Sequence, residues 1–312
     1  LHNMRPKVAA KLRLRYEDFQ TTHPHLVYCG AYGFRKEGPL ADKPAYDDII
    51  QAASGLADVI GAVSDQPRYV PSIVADKISA YAVATGVLSA LFQRSQTGQG
   101  QAVEIGMFEC LVDFMMVEHL YGATFEPPID RMGYSRILNK ERRPYATQDG
   151  YLAVLPYTDQ NWRDFFKIAG KEELLQDPRF ASVSKRVENA QALYGTVAQI
   201  VATRTSEAWI QALEAANIPV TPVNTKEALL DDAQLHASNF WQFVDHPTEG
   251  KLRMTDAPVR FSGSQFELRQ PAPTLGEHSE SILIEAGYSP QEVDQLFASG
   301  VTAGPRPSPP SP

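Results

Sequence analysis

Cysteine is scarce. Cys29 and Cys110 are the only two in 312 residues, which excludes a disulfide-stapled scaffold. Both stand in apolar segments and are expected to be buried free thiols. Basic charge is also in short supply: 29 Lys and Arg stand against 37 Asp and Glu, for a net charge of -8. No basic face or run stands out, so no nucleic-acid partner is expected. Residues 78–92 form an apolar run, but it is short and broken by Ser, Thr and Gly, so no membrane span is expected. The opening Leu1-His2-Asn3-Met4-Arg5-Pro6 lacks the apolar stretch of a signal peptide, and a cytoplasmic location is the expectation. Familiar site signatures are missing too. There is no Gly-x-Ser-x-Gly elbow for a serine hydrolase. Gly98-Gln99-Gly100 has Val103 where a dinucleotide loop needs its third glycine. The histidines (His2, His23, His25, His119, His236, His246, His278) show no metal-ligand spacing, so no metal site is expected.

What the chain does have is 43% hydrophobic residues, enough for one large or two ordinary domains. Residues 7–14 read as a short helix and 26–30 as a strand. Residues 47–60 read as a helix, with Ile49, Ile50, Ala53, Leu56 and Ala57 on its apolar side. The run 78–92 reads as a helix packed on most sides, because small residues alternate with large ones and none is charged. Gly98-Gln99-Gly100 turns the chain into a strand at 102–105, and 107–120 forms a second apolar helix. Strands alternating with helices imply a parallel sheet covered on both faces. Pro127 and Pro128 open a linker to about Pro144 that carries Arg131, Arg136, Lys140, Arg142 and Arg143. These basic residues read first as a solvated face, with contact to an acyl group or a phosphate as the functional alternative. Beyond it, 145–147 and 151–154 form a hairpin around Asp149-Gly150. Helices are expected at 160–169, 187–202 and 206–216, then strands at 252–254 and 259–261. The Pro- and Ser-rich end reads as disordered.

Asp76 is the candidate for chemistry. It stands in Tyr69-Val70-Pro71-Ser72-Ile73-Val74-Ala75-Asp76-Lys77, where the apolar helix begins. Its simplest role is a helix cap, accepting hydrogen bonds from free amides at the positive end of the helix dipole. Its sharper role is a nucleophilic carboxylate. An acyl group on a carboxylate is a mixed anhydride, which keeps the energy of a thioester.

Six stretches bear on the choice: Asn3-Met4-Arg5-Pro6, Leu26-Val27-Tyr28-Cys29-Gly30-Ala31-Tyr32-Gly33-Phe34, Gly38-Pro39-Leu40-Ala41-Asp42-Lys43-Pro44-Ala45-Tyr46-Asp47, Ala53-Ser54-Gly55-Leu56, Thr97-Gly98-Gln99-Gly100-Gln101 and Leu275-Gly276-Glu277-His278. In order and spacing the chain resembles the family III CoA-transferases, which include formyl-CoA and carnitine CoA-transferases. The resemblance implies an α/β fold with a Rossmann-like large domain and a smaller α+β domain inserted. The expected layout is 1–126 large domain, 127–144 linker, 145–222 small domain, 223–303 return to the large domain and 304–312 tail. Measured against the family, the chain lacks the first βα units, either by truncation or because that half is supplied some other way, and full-length chains are expected to form interlocked homodimers.

The resemblance makes Asp76 the acyl-accepting nucleophile, and acyl-CoA and a free carboxylic acid the substrates, with no permanently bound cofactor. It places Asn3, Met4 and Arg5 by the pantetheine and adenine, Lys11 by a phosphate, and Pro44, Ala45, Tyr46 and Asp47 along the thioester. Two alternatives stay open. The related 2-methylacyl-CoA racemases carry His-Asp where this chain has Tyr46-Asp47, and a tyrosine is a poor proton shuttle near neutrality. A catalytically inactive truncated scaffold is the other. The glycine run that closes over the site of formyl-CoA transferases is absent from residues 131–150, which leaves the acyl group open.

Overall fold

Two short apolar stretches pair first. β1 (Val27–Tyr32) runs parallel to β2 (Gln101–Gly106), from Val27↔Gln101 to Tyr32↔Gly106. Parallel neighbours need a long crossover, and here it is helical. α1 (Pro6–Leu12), with Pro6 in its first turn, precedes β1. α2 (Asp47–Ala53), α3 (Leu56–Ser64) and α4 (Val74–Thr97) lie between the strands, and α5 (Met107–His119) follows β2 directly. His2 adds a parallel bridge to Gly30 on the other edge of β1.

The computed structural model describes residues 1–304, in two compact units divided between Val223 and Asn224. The first unit holds two apolar cores. Phe34, Ile50, Ala75 and Leu111 make the smaller, joining the segment after β1 to α2, α4 and α5. The larger is built on the antiparallel sheet β3 (Tyr145–Ala146), β4 (Tyr151–Val154) and β5 (Val220–Pro222). Around it lie α6 (Asp159–Ile168), α7 (Val183–Glu188), α8 (Ala190–Val201) and α9 (Ser206–Ala215). On α8 the buried Leu193, Val197, Ile200 and Val201 recur at helical spacing, one stripe facing the core. The second unit holds α10 (Ala233–Ala237), the hairpin β6 (Trp241–His246) and β7 (Gly250–Thr255), α11 (Ser279–Glu285) and α12 (Pro290–Ala298).

The parallel sheet, the 145–154 hairpin and most helices lie where the sequence places them. Five readings need correction. The helix at 47–60 is two helices, because Gly55 adopts φ +91°, outside helical backbone. The helix at 187–202 is likewise split at Asn189. Residues 259–261 form no strand, since β7 is completed by β6 alone. The helix containing residues 78–92 is not packed on most sides: only Ala75, Ser79 and Ala90 of α4 are buried, because α2, α5 and the two strands cover one face only. Nor is it too short for a span. The apolar run undercounts it, since residues 74–77 and 93–97 continue the helix to 24 residues, long and apolar enough to cross a membrane. Of the expected disordered tail, residues 305–312 lie outside the described residues.

Candidate active site

α4 begins without a cap of its own. Ile73 occupies the N-cap position and offers no side-chain acceptor, leaving amides at the helix start to be satisfied from elsewhere. Asp47 satisfies them from the first turn of α2. Its Oδ1 accepts from the amides of Ala75 (2.7 Å) and Asp76 (3.2 Å). One turn on, Gln51 Nε2 donates to Asp47 Oδ2 at 2.5 Å, and Gln51 Oε1 accepts from the amide of Val70 at 2.8 Å. Asp47 and Gln51 are both buried. The stretch from Val70 to Asp76 is thus hung on two side chains of α2.

Asp76 itself is the third residue of α4 and is exposed. It is not the helix cap that the simplest reading makes it; Asp47 performs that role. Among the described residues its carboxylate has no ion-pair partner, and the adjacent Lys77 turns away to donate to Ser72 Oγ at 2.9 Å. Although the residue as a whole is exposed, partial desolvation of its carboxyl, reinforced by the charge of Asp47, pushes that carboxyl above the ordinary carboxylate range. The helix dipole works the other way and is outweighed.

The segment before α2 is fitted closely to the turn after β1. A Cβ on Gly33 would lie 2.2 Å from that of Ala45, so only glycine permits this approach. The amide of Phe108, at the start of α5, donates to the Gly33 carbonyl at 3.0 Å. Pro44 and Tyr46 are exposed, Tyr46 at 76%, whereas Asp47 is buried with its carboxylate turned inward. The structure therefore takes Asp47 out of the surface formed by Pro44, Ala45 and Tyr46 and places it behind Asp76.

Asn3, Met4 and Arg5 lead into α1, and the neighbouring segment reaches them through Asp42. Arg5 Nη1 donates to the Asp42 carbonyl at 3.2 Å, and Lys7 Nζ pairs with Asp42 Oδ2 at 2.9 Å. Residues 3–7 and 42–47 are thereby tied together, and residue 47 to Asp76. Lys11 is exposed in the last turn of α1, without an ion pair among the described residues. Sequence reasoning missed Gln51 and the Lys7–Asp42 pair. The i, i+4 spacing of Asp47 and Gln51 on one helix was the available signal for the first; the second, 35 residues apart, left none.

Comparisons with known proteins show the family. The model of CoA-transferase family III matches residues 1–279. The chain is 26% identical over 306 residues to the succinyl-CoA:glutarate CoA-transferase of Mus musculus, covering 96% of this chain and 69% of that protein. It is 27% identical over 334 residues to the formyl-CoA:oxalate CoA-transferase of Rhodopseudomonas palustris strain TIE-1, covering 98% and 77%. Among solved structures, a CAIB/BAIF family protein from Brucella suis superposes with a TM-score of 0.72 at 26% identity, over 91% of this chain and 74% of that one. A Mycobacterium tuberculosis protein reaches 0.76 at 22% identity, over 89% and 72%, a likeness of fold.

Proposed function

The chain belongs to CoA-transferase family III, and we propose that it passes coenzyme A from an acyl thioester to a free carboxylic acid with Asp76 as the acyl acceptor. The observation that carries this reading is a carboxylate at a helix start with no ion-pair partner among the described residues, its charge disfavoured by partial desolvation and by Asp47. Acylation converts that charge into a neutral anhydride or thioester, which relieves both effects. A carboxylate poised in this way is a better nucleophile than one held in an ion pair.

The steps follow from the carboxylate. An oxygen of Asp76 attacks the thioester carbonyl carbon, the C–S bond breaks, and the electron pair leaves with sulfur as CoA thiolate. A mixed anhydride remains. The thiolate then attacks the Asp76 side-chain carbonyl and expels the donor acid as its carboxylate, leaving an aspartyl-CoA thioester. The acceptor carboxylate attacks that thioester, the thiolate leaves again, and its attack on the acceptor's carbonyl frees Asp76. No net proton is consumed, so no partner base is required. Each addition places negative charge on an oxygen that amide donors must meet.

Asn3, Met4, Arg5 and Lys11 are assigned to the CoA nucleotide and pantetheine, and Pro44, Ala45 and Tyr46 to the thioester. Asp47 is a positioning residue. The large-domain arrangement is taken as Rossmann-like, and the working form as an interlocked homodimer. The exposed apolar face of α4 and α5 supports the dimer.

Hydroxylamine tests the nucleophile. Protein incubated with a reactive acyl-CoA and then trapped is expected to carry a hydroxamate on the peptide containing Asp76, since both covalent intermediates yield one. Asp76→Ala and Asp76→Asn are expected to lose both label and transfer. Transfer persisting in either variant removes Asp76 from the reaction.

A further inference from the structure

A pocket of about 450 Å³ opens between the stretch 136–145 and the β3–β5 core. Its wall carries Arg136, Arg142, Arg143 and Arg186 and no Asp or Glu. Two of these are already engaged. Arg186, buried, donates to the Phe180 carbonyl at 2.9 Å and pairs with Asp159, and Arg143 pairs with Glu141 at 3.3 Å. Arg136 and Arg142 have no ion pair among the described residues. Arg136 is half-buried, its guanidinium 5.6 Å from the centroid of the Tyr157 ring. A partly desolvated guanidinium without a carboxylate is costly, and an incoming anion removes that cost. The remaining wall is mostly apolar, including Leu155, Trp162, Val187 and Leu193. The volume falls within the roughly 300–1,000 Å³ usual for small-molecule sites.

We propose that this pocket binds an organic carboxylate with an apolar body, the carboxylate meeting Arg136 and Arg142 and the hydrocarbon lying along Leu155, Trp162 and Val187. Guanidinium groups match a carboxylate with paired donors, and the apolar wall selects for a chain behind it. The other source of an anion on an organic body is the phosphorylated adenosine end of CoA. A wall this apolar around the arginines favours the free acid. The site stands on its own residues and does not depend on Asp76.

Isothermal titration of the intact chain with octanoate, octan-1-ol and acetate is the test. Octanoate is expected to bind at least about tenfold more tightly than either, since one lacks the charge and the other the chain. Arg136→Gln combined with Arg142→Gln is expected to weaken octanoate at least about tenfold, the scale of charge-assisted hydrogen bonds. Ala153→Phe, at an exposed pocket position, is expected to weaken it by filling the pocket while every charge stays. Asp76→Asn is expected to bind octanoate as the unaltered chain does. The proposal is overturned if octanol binds as well as octanoate, or if octanoate binding survives both the arginine and the Ala153 changes. Displacement of octanoate by adenosine 3′,5′-bisphosphate at equal concentration also overturns it and gives the arginines to CoA.

Discussion

Asp47 and Asp76 hold separate roles at the start of α4: Asp47 accepts its first amides, while Asp76 keeps its carboxylate free of an ion pair among the described residues. Asp47 gives up its solvent contact to hold the start of α4, and its negative charge raises the proton affinity of its neighbour. On the proposed mechanism transfer requires the Asp76 carboxylate, so the acid limb of kcat/KM is expected above the ordinary carboxylate range. Asp47→Asn keeps an acceptor for the amides but removes the charge, so the limb is expected to move to lower pH, read from a pH–rate profile. Asp47→Ala leaves two amides and Gln51 without their partner and is expected to cost about 1–3 kcal/mol of stability, measured by urea unfolding. The sign for Asp76 itself runs opposite to that of a salt-bridged carboxylate. Its folded-state pKa is raised, so its contribution is full below the unfolded value and lost as pH rises through the folded one. Asp76→Asn is therefore expected to raise the melting temperature relative to the unaltered chain at neutral pH, with the gain vanishing in acid.

Two elements show how local chemistry sets the frame around the site. α2 and α3 are separated by Gly55 at φ +91°, a conformation that costs other residues about 1–2 kcal/mol. Gly55→Ala is expected to lose about that much in urea unfolding and, by disturbing α2, to reduce transfer as well. α9 anchors the larger core through Trp209 and Leu213, one turn apart and fully buried, with Trp209 Nε1 donating to the Val201 carbonyl at 2.8 Å. Trp209→Ala is expected to cost about 3–5 kcal/mol, from lost burial, the cavity left behind and the orphaned carbonyl.

Among the described residues, α4 and α5 leave apolar side chains uncovered. Along α4, Tyr81, Leu88 and Phe92 are 69%, 66% and 70% exposed, and on α5 Phe114 and Val117 are 61% and 82%. Spacings of seven and four put the α4 residues on one face of the helix. An apolar surface of this kind needs a cover, and a second copy of the chain is the cover we propose. Leu88→Glu with Val117→Glu is expected to shift the protein from dimer to monomer in light scattering while the circular dichroism spectrum stays helical. A dimer that persists through both changes places its interface elsewhere.

Local signals were enough to place most of the elements, though not where two helices break or where α4 begins and ends. The β-branched and aromatic stretch at β1, the Gly98 turn, the Asp149-Gly150 hairpin and the apolar stripe of α8 each act over a few residues, and sequence spacing records them. The family stretches likewise singled out Asp76 and the Pro44–Asp47 neighbourhood. Tertiary structure decided the rest. That Asp47 faces inward to cap another helix, that Lys7 meets Asp42, and that Arg136 and Arg142 line one pocket with Arg186 are arrangements of residues 28 to 50 positions apart. The same applies to the solvent exposure of α4. Its composition is that of a buried helix, but burial depends on which elements pack against it, and within this chain only one face is met.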